Sequence, residues 1–131
     1  MIQITPMEPV RDSDCVVLHA KVAGHPRGDV LEMRFPRQAE PLLSLDRFDA
    51  WLLAMLVPAM ETMQPLHIEG PVSERLLFYI NKHVVPLLAM FNSGWTRIPV
   101  TAAGRADPIG QKCHRGAATG FSGGVDSFVT V

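Results

Sequence analysis

Apolar residues along this chain fall into two alternating periods. From Cys15 to Ala23 the run CVVLHAKVA is dominated by β-branched residues, and in DVLEMRFP, residues 29–36, Val30, Glu32 and Arg34 alternate with Leu31, Met33 and Phe35. Both read as strands. Between them GHPRGD supplies Gly24, Pro26 and Gly28, residue types that reverse a chain, so an antiparallel hairpin is expected. The period then lengthens. Phe48, Leu52, Met55, Leu56 and Met60 recur at helical spacing, with Ser44 as a candidate N-cap, Asp46 and Asp49 in the positive first turns, and Pro58 marking a kink or the last turns.

The pattern repeats once. PLHIEG reads as a short strand, and PVSERLLFYINKHVVPLLAMF as a second helix capped by Ser73. Its inner stripe would be Leu76, Leu77, Ile80, Val84 and Leu87, with a kink or break at Pro86. GWTRIPVTA is a further strand, so strand, helix, strand in that order predicts a right-handed βαβ unit. The expected fold class is α/β. A small N-terminal domain, residues 1–103, combines the β-hairpin and the βαβ unit in a mixed sheet. Residues 104–115, which mix glycine, proline and charge without periodicity, read as a linker. After it, GAATGF reads as a buried strand that runs into SGGVDS and the apolar FVTV.

Composition narrows the picture. With 131 residues, 47% of them hydrophobic and 19% charged, the chain has material for one core and the beginning of a second. A net charge of −1 gives no electrostatic reason to expect nucleic acid or an anionic membrane surface. The two cysteines, Cys15 and Cys113, cannot make a four-ligand zinc set, and acids and prolines interrupt the N-terminus where a signal peptide needs an apolar run. The longest uncharged runs, residues 50–60 and 84–96, are shorter than the about 20 apolar residues of a membrane helix, so a soluble, cytoplasmic protein is expected.

The chemistry concentrates in residues 122–127. Adjacent glycines let a backbone approach an anion without Cβ interference, and a strand, a glycine turn and a helix start together aim N–H groups at phosphate. Ser122 and Ser127 add hydroxyl donors. Asp126 beside a polyphosphate calls for an intervening cation, which implies Mg²⁺. Two other signatures overlap the same stretch. Gly120 to Gly124 satisfies the G-x-S-x-G nucleophile elbow, but no histidine follows His114 to complete a triad. A Walker loop needs Gly-Lys-Ser/Thr, and no lysine follows Lys112. Cys113 and His114 with His19, His25, His67 and His83 match no standard zinc spacing. Trp51, Met55, Met60 and Met63 read as core packing, and Arg75, Lys82 and Arg97 as solvated charges.

The run Ser122-Gly123-Gly124-Val125-Asp126-Ser127 resembles the signature of the PP-loop ATP pyrophosphatases, the group that includes GMP synthetase, NAD synthetase, asparagine synthetase and the cyano-deazaguanine synthases. Residues ahead of it are similar, more weakly, to the N-terminal extension of cyano-deazaguanine-synthase-like members. The resemblance implies cleavage of ATP between its α and β phosphates, with the AMP moiety passed to a carboxylate or amide oxygen of an acid substrate that a nucleophile then attacks. Ser122, Gly123, Gly124 and Val125 would cradle pyrophosphate, Ser127 would bind it from the helix start, and Asp126 would hold Mg²⁺. No catalytic residue is assigned. In the family the adenine pocket and substrate groups follow this motif. The expectation is therefore that residues 116–131 are the first strand and loop of a truncated nucleotide-binding domain, inactive in this chain alone and completed by a further segment, a homo-oligomer or another chain. The competing reading is a non-catalytic α/β interaction or substrate-positioning domain carrying a vestigial phosphate loop.

Overall fold

The computed structural model describes residues 1–106 apart from 27 and 29. It is an α/β fold with one mixed sheet, built from β1 (Ile2–Pro6), β2 (Val10–Arg11), β3 (Cys15–Ala23), β4 (Val30–Pro36), α1 (Asp49–Glu61), β5 (Leu66–Ser73), α2 (Glu74–Tyr79), α3 (Val85–Phe91) and β6 (Val100–Ala106). A 3-10 turn, Arg37–Leu42, follows β4, and a π-helical turn, Ile80–Val84, joins α2 to α3.

The expected hairpin forms, with β3 and β4 antiparallel from Cys15 opposite Pro36 to Lys21 opposite Val30. Its turn holds Gly24 at φ +83, a conformation that side chains disfavour. On the other side of β3 lie β1 and, after a short interruption, β2, both antiparallel to it. β1 then pairs in parallel with β5, and β5 with β6. Across the sheet the order is therefore β4, β3, β1 with β2, β5, β6. The βαβ unit expected from the sequence is β5, α2 to α3, β6.

β1 escapes the sequence reading although it sits at the centre. Ile2 and Ile4 are fully buried there against Leu66 and Ile68 of β5, Ala20 and Val22 of β3, and Leu52, Ala59 and Met60 of α1, while Gln3 and Thr5 turn to the other face. That alternation leaves one face of the sheet covered by helices and the other polar. Leu52 and Ile80 are buried and Phe48 and Leu77 pack against the same core, as the helical spacing requires. Trp51, Met55 and Met60 are core residues too, but Met63 lies past the end of α1, 58% exposed and at φ +53.

Three boundaries differ from expectation, each for a visible reason. Ser44 does not cap α1, which starts at Asp49 without a side-chain cap on Phe48. The start is instead tied to β5: the Phe48 N–H donates to the Pro71 carbonyl at 3.0 Å, and Asp49 Oδ1 accepts the Ser73 N–H at 2.7 Å. Pro71 has no N–H for the ladder, and β5 shifts register against β6 between Ile68 and Pro71.

At Pro86 the second helix continues without a break, and an irregularity takes the form of a π turn just ahead of it. Within the π turn the Val85 N–H reaches back five residues to the Ile80 carbonyl, and this one-residue insertion absorbs the proline that follows. Val84 of the expected stripe still packs on the core, and beyond it the stripe moves by one position. Val85 is buried and Leu88 packs on the core, whereas Leu87 of the expected stripe is 50% exposed. Finally, β6 runs to Ala106, so residues 104–106 of the expected linker belong to the sheet.

Candidate functional site

The strands β1, β5 and β6 run parallel; among the described residues one cleft opens at the carboxyl end of β1, and another runs along β6 to its carboxyl end beside the end of β5. The larger, of about 1140 Å³, lies between β6 and the α2 helix. Four basic side chains, Arg47, Arg75, Lys82 and Arg105, line it together with two acids, Asp49 and Glu74, and an apolar floor that includes Leu77, Phe78 and Val100. Both acids are engaged: Asp49 caps the Ser73 N–H, and Glu74 Oε1 meets Arg105 Nη1 at 2.8 Å. Arg75 sits 5.7 Å from the centre of the Tyr79 ring, which itself stands edge-on to Phe78. Lys82 has no ion-pair partner among the described residues. The cleft thus carries more positive than negative charge.

Ser73 and Asn81 position this wall. Ser73 Oγ accepts the Leu76 N–H at 3.4 Å, the N-cap expected from the sequence. Asn81, inside the π turn, uses its whole amide: Oδ1 accepts the Val100 N–H at 3.0 Å, and Nδ2 donates to the Val100 carbonyl at 2.9 Å and to Leu77 O at 3.0 Å. In this way a side chain imitates a neighbouring strand at one residue of the β6 edge. Nothing in the sequence reading singled out Asn81. A poor helix former five residues before Pro86 was the available signal.

The smaller cleft, of about 310 Å³, lies at the end of β1 between Met7, Glu8 and Arg11 on one side and Phe48 and Trp51 on the other, with Arg47 lining both clefts. Close to the β3–β4 side, Glu40 binds Arg11 Nε at 2.6 Å and Arg37 Nε at 3.4 Å. The Arg11 hydrogen bond, and then the Arg37 charge, hold its carboxyl below the usual glutamate range.

The histidines do not converge. His19 pairs with Glu32 across β3 and β4 at 3.5 Å, His67 Nδ1 lies 2.7 Å from Thr101 Oγ1, and His83 stacks beside Tyr79. Among the described residues no group of three or more His, Cys, Asp or Glu gathers as a metal centre. No helix of the described residues is long and apolar enough to cross a membrane. The candidate phosphate loop, Ser122, Gly123, Gly124, Val125, Asp126 and Ser127, lies outside the described residues, as do Cys113 and His114. Comparison of the chain with protein-family models, curated proteins and solved structures finds no match.

Proposed function

We propose that this chain is the front part of an ATP-dependent adenylating protein of the PP-loop type. The run from Ser122 to Ser127, with every fixed position of the signature present, carries this reading. Backbone N–H groups of Gly123, Gly124 and Val125 would hold pyrophosphate, with the Ser122 and Ser127 hydroxyls on its oxygens and Asp126 on Mg²⁺. Bound Mg²⁺ supplies neutralisation of the phosphate charge as it develops on the leaving pyrophosphate. The fold is compatible with such a role. The smaller cleft opens at the carboxyl end of β1 and the larger reaches the carboxyl ends of β5 and β6, where open α/β sheets take ligands, and the chain leaves β6 at that same end on its way to the motif. The acid substrate and the attacking nucleophile stay unspecified in this reading.

The test is pyrophosphate release from ATP with candidate acid substrates, alongside calorimetric ATP binding, on the chain joined to its natural downstream sequence. Gly123→Val is expected to abolish binding by blocking backbone approach, and Asp126→Asn to impair Mg²⁺-dependent turnover. Undiminished ATP binding by Gly123→Val would falsify the assignment of the phosphate site and favour a non-catalytic positioning domain.

A further inference from the structure

We infer that the cleft between β6 and α2 is a docking groove for an extended, acidic segment of a partner protein, which adds to the edge of β6 that no described strand pairs. Two independent features converge there. The first is the edge itself. The Leu66 N–H donates to Pro99 O, so Pro99 faces β5 and Val100 faces away, and alternation turns Thr101 toward β5 and Ala102 away from it. The outward groups of Val100 are taken by Asn81, whereas those of Ala102 have no partner among the described residues. Ala102, Ala103 and Gly104 are small, so a second backbone can approach.

The second feature is charge. Arg75 and Lys82 on the helix flank the groove and form no ion pair among the described residues, while Arg105 on β6 is bonded to Glu74 and Asp49 caps the Ser73 N–H. A strand entering here meets backbone groups along one side and cations along the other, with Leu77 and Phe78 beneath. Acidic side chains are what such a lining selects. A second copy of the chain fits poorly, because a two-fold axis through the β6 edge would set Arg75, Lys82 and Arg105 against their own equivalents. Residues 107–131 carry two acids, Asp107 and Asp126, against Lys112 and Arg115, and so offer no net negative charge; any sequence beyond them is distinguished by the peptide-free protection of the Ala102 amide in the extended chain.

The experiment titrates the ¹⁵N-labelled full chain with acetyl-Glu-Val-Glu-Val-Glu-amide, its lysine counterpart, and the acidic peptide N-methylated at both valines. The acidic peptide should shift the amides of Arg75, Lys82, Ala102 and Arg105 saturably, with the lysine peptide at least about tenfold weaker. N-methylation should weaken binding about fivefold or more, because it removes the strand donors. The Arg75→Glu, Lys82→Glu double variant should reverse the preference. Its side chains are exposed, and the wild-type peptide comparison decides the matter should that variant misfold. Absence of binding, or equal binding of the lysine peptide, overturns the proposal. Equal binding of the N-methylated peptide shows a general anion cleft and overturns the strand addition. An Ala102 amide protected from exchange without peptide overturns it in favour of the chain's own residues in a monomer, or of a second copy where protection grows with concentration.

Discussion

The two edges of the sheet are built on different principles. At the β4 edge the open face carries Glu32 and Arg34, 3.4 Å apart, and the strand stops at Pro36. Charges of both signs and a proline discourage a further strand whatever the details of packing. At the β6 edge the side chains are Val, Thr, Ala, Ala, Gly, with charge only at Arg105, and among the described residues protection is confined to the Asn81 amide on Val100. One edge is guarded by residue type along its length and the other by a single fitted contact. The first should tolerate substitution, and the second should not.

Proline substitution gives the largest contrast. Ala103→Pro removes an N–H directed at β5 and leaves a strand carbonyl short of a donor, and should cost about 3 kcal/mol in urea unfolding. Ala102→Pro removes only an outward N–H and should cost about 1 kcal/mol. Equal losses would show that the assignment of inward and outward groups on β6 is wrong. Next in size is the clamp. Asn81→Leu strands the Val100 N–H and carbonyl at a buried position, with an expected loss of about 2 kcal/mol. At the opposite edge Glu32→Gln or Arg34→Gln should stay within about 0.5 kcal/mol. If Asn81→Leu falls within that same margin, the two edges do not differ in kind.

These contrasts also show which parts of the fold the sequence could reveal. The hairpin, α1 and the β5 to β6 unit were legible because strand and helix periods are local, and Leu52 and Ile80 fall where the helical period puts them. β1 was not. IQITP is five residues long, and its place at the centre comes from pairing with Leu66 to Ile68, more than sixty positions away. The stripe of the second helix was legible up to Val84 and displaced at Leu87, because a π turn changes the phase without changing composition. Of the candidate chemistry, Ser122 to Ser127 is read from sequence alone. The groove was hidden, since Arg75 and Lys82 look like ordinary solvated charges until the βαβ closure brings Arg105 beside them.

A smaller effect tests how β5 meets α1 between the two edges. A Cβ at Gly70 would run into the Phe48 ring at its Cε2 and Cδ2 atoms. Gly70→Ala should therefore cost about 1 to 2 kcal/mol by forcing the ring off its seat. Gly28, where an added Cβ meets nothing nearby, is the matching control for which Ala should be close to neutral. Similar losses at both positions would mean that glycine flexibility, and not the Phe48 contact, sets the outcome.

The smallest expected effect lies where the turn after β4 reaches β2, away from either edge, and concerns acid. Glu40 joins the turn after β4 to Arg11 of β2, and its carboxyl is held low by the Arg11 hydrogen bond and then by the Arg37 charge. A carboxyl that is more acidic in the folded than in the unfolded chain favours folding above its unfolded pKa. That contribution disappears as pH falls through the folded value, when both states bind the proton. Stability should therefore decline slightly over the acid range, and Arg11→Gln should flatten this part of the pH profile while moving the Glu40 carboxyl midpoint up toward the ordinary range. Carbon-detected titration of the Glu40 side chain measures the midpoint directly. Both partners are partly solvent-exposed, so salt should screen most of the effect, in contrast to Asn81, whose neutral bonds should be indifferent to salt. If Asn81→Leu shows the stronger salt dependence, the reading of the Asn81 amide as a neutral clamp on β6 is wrong.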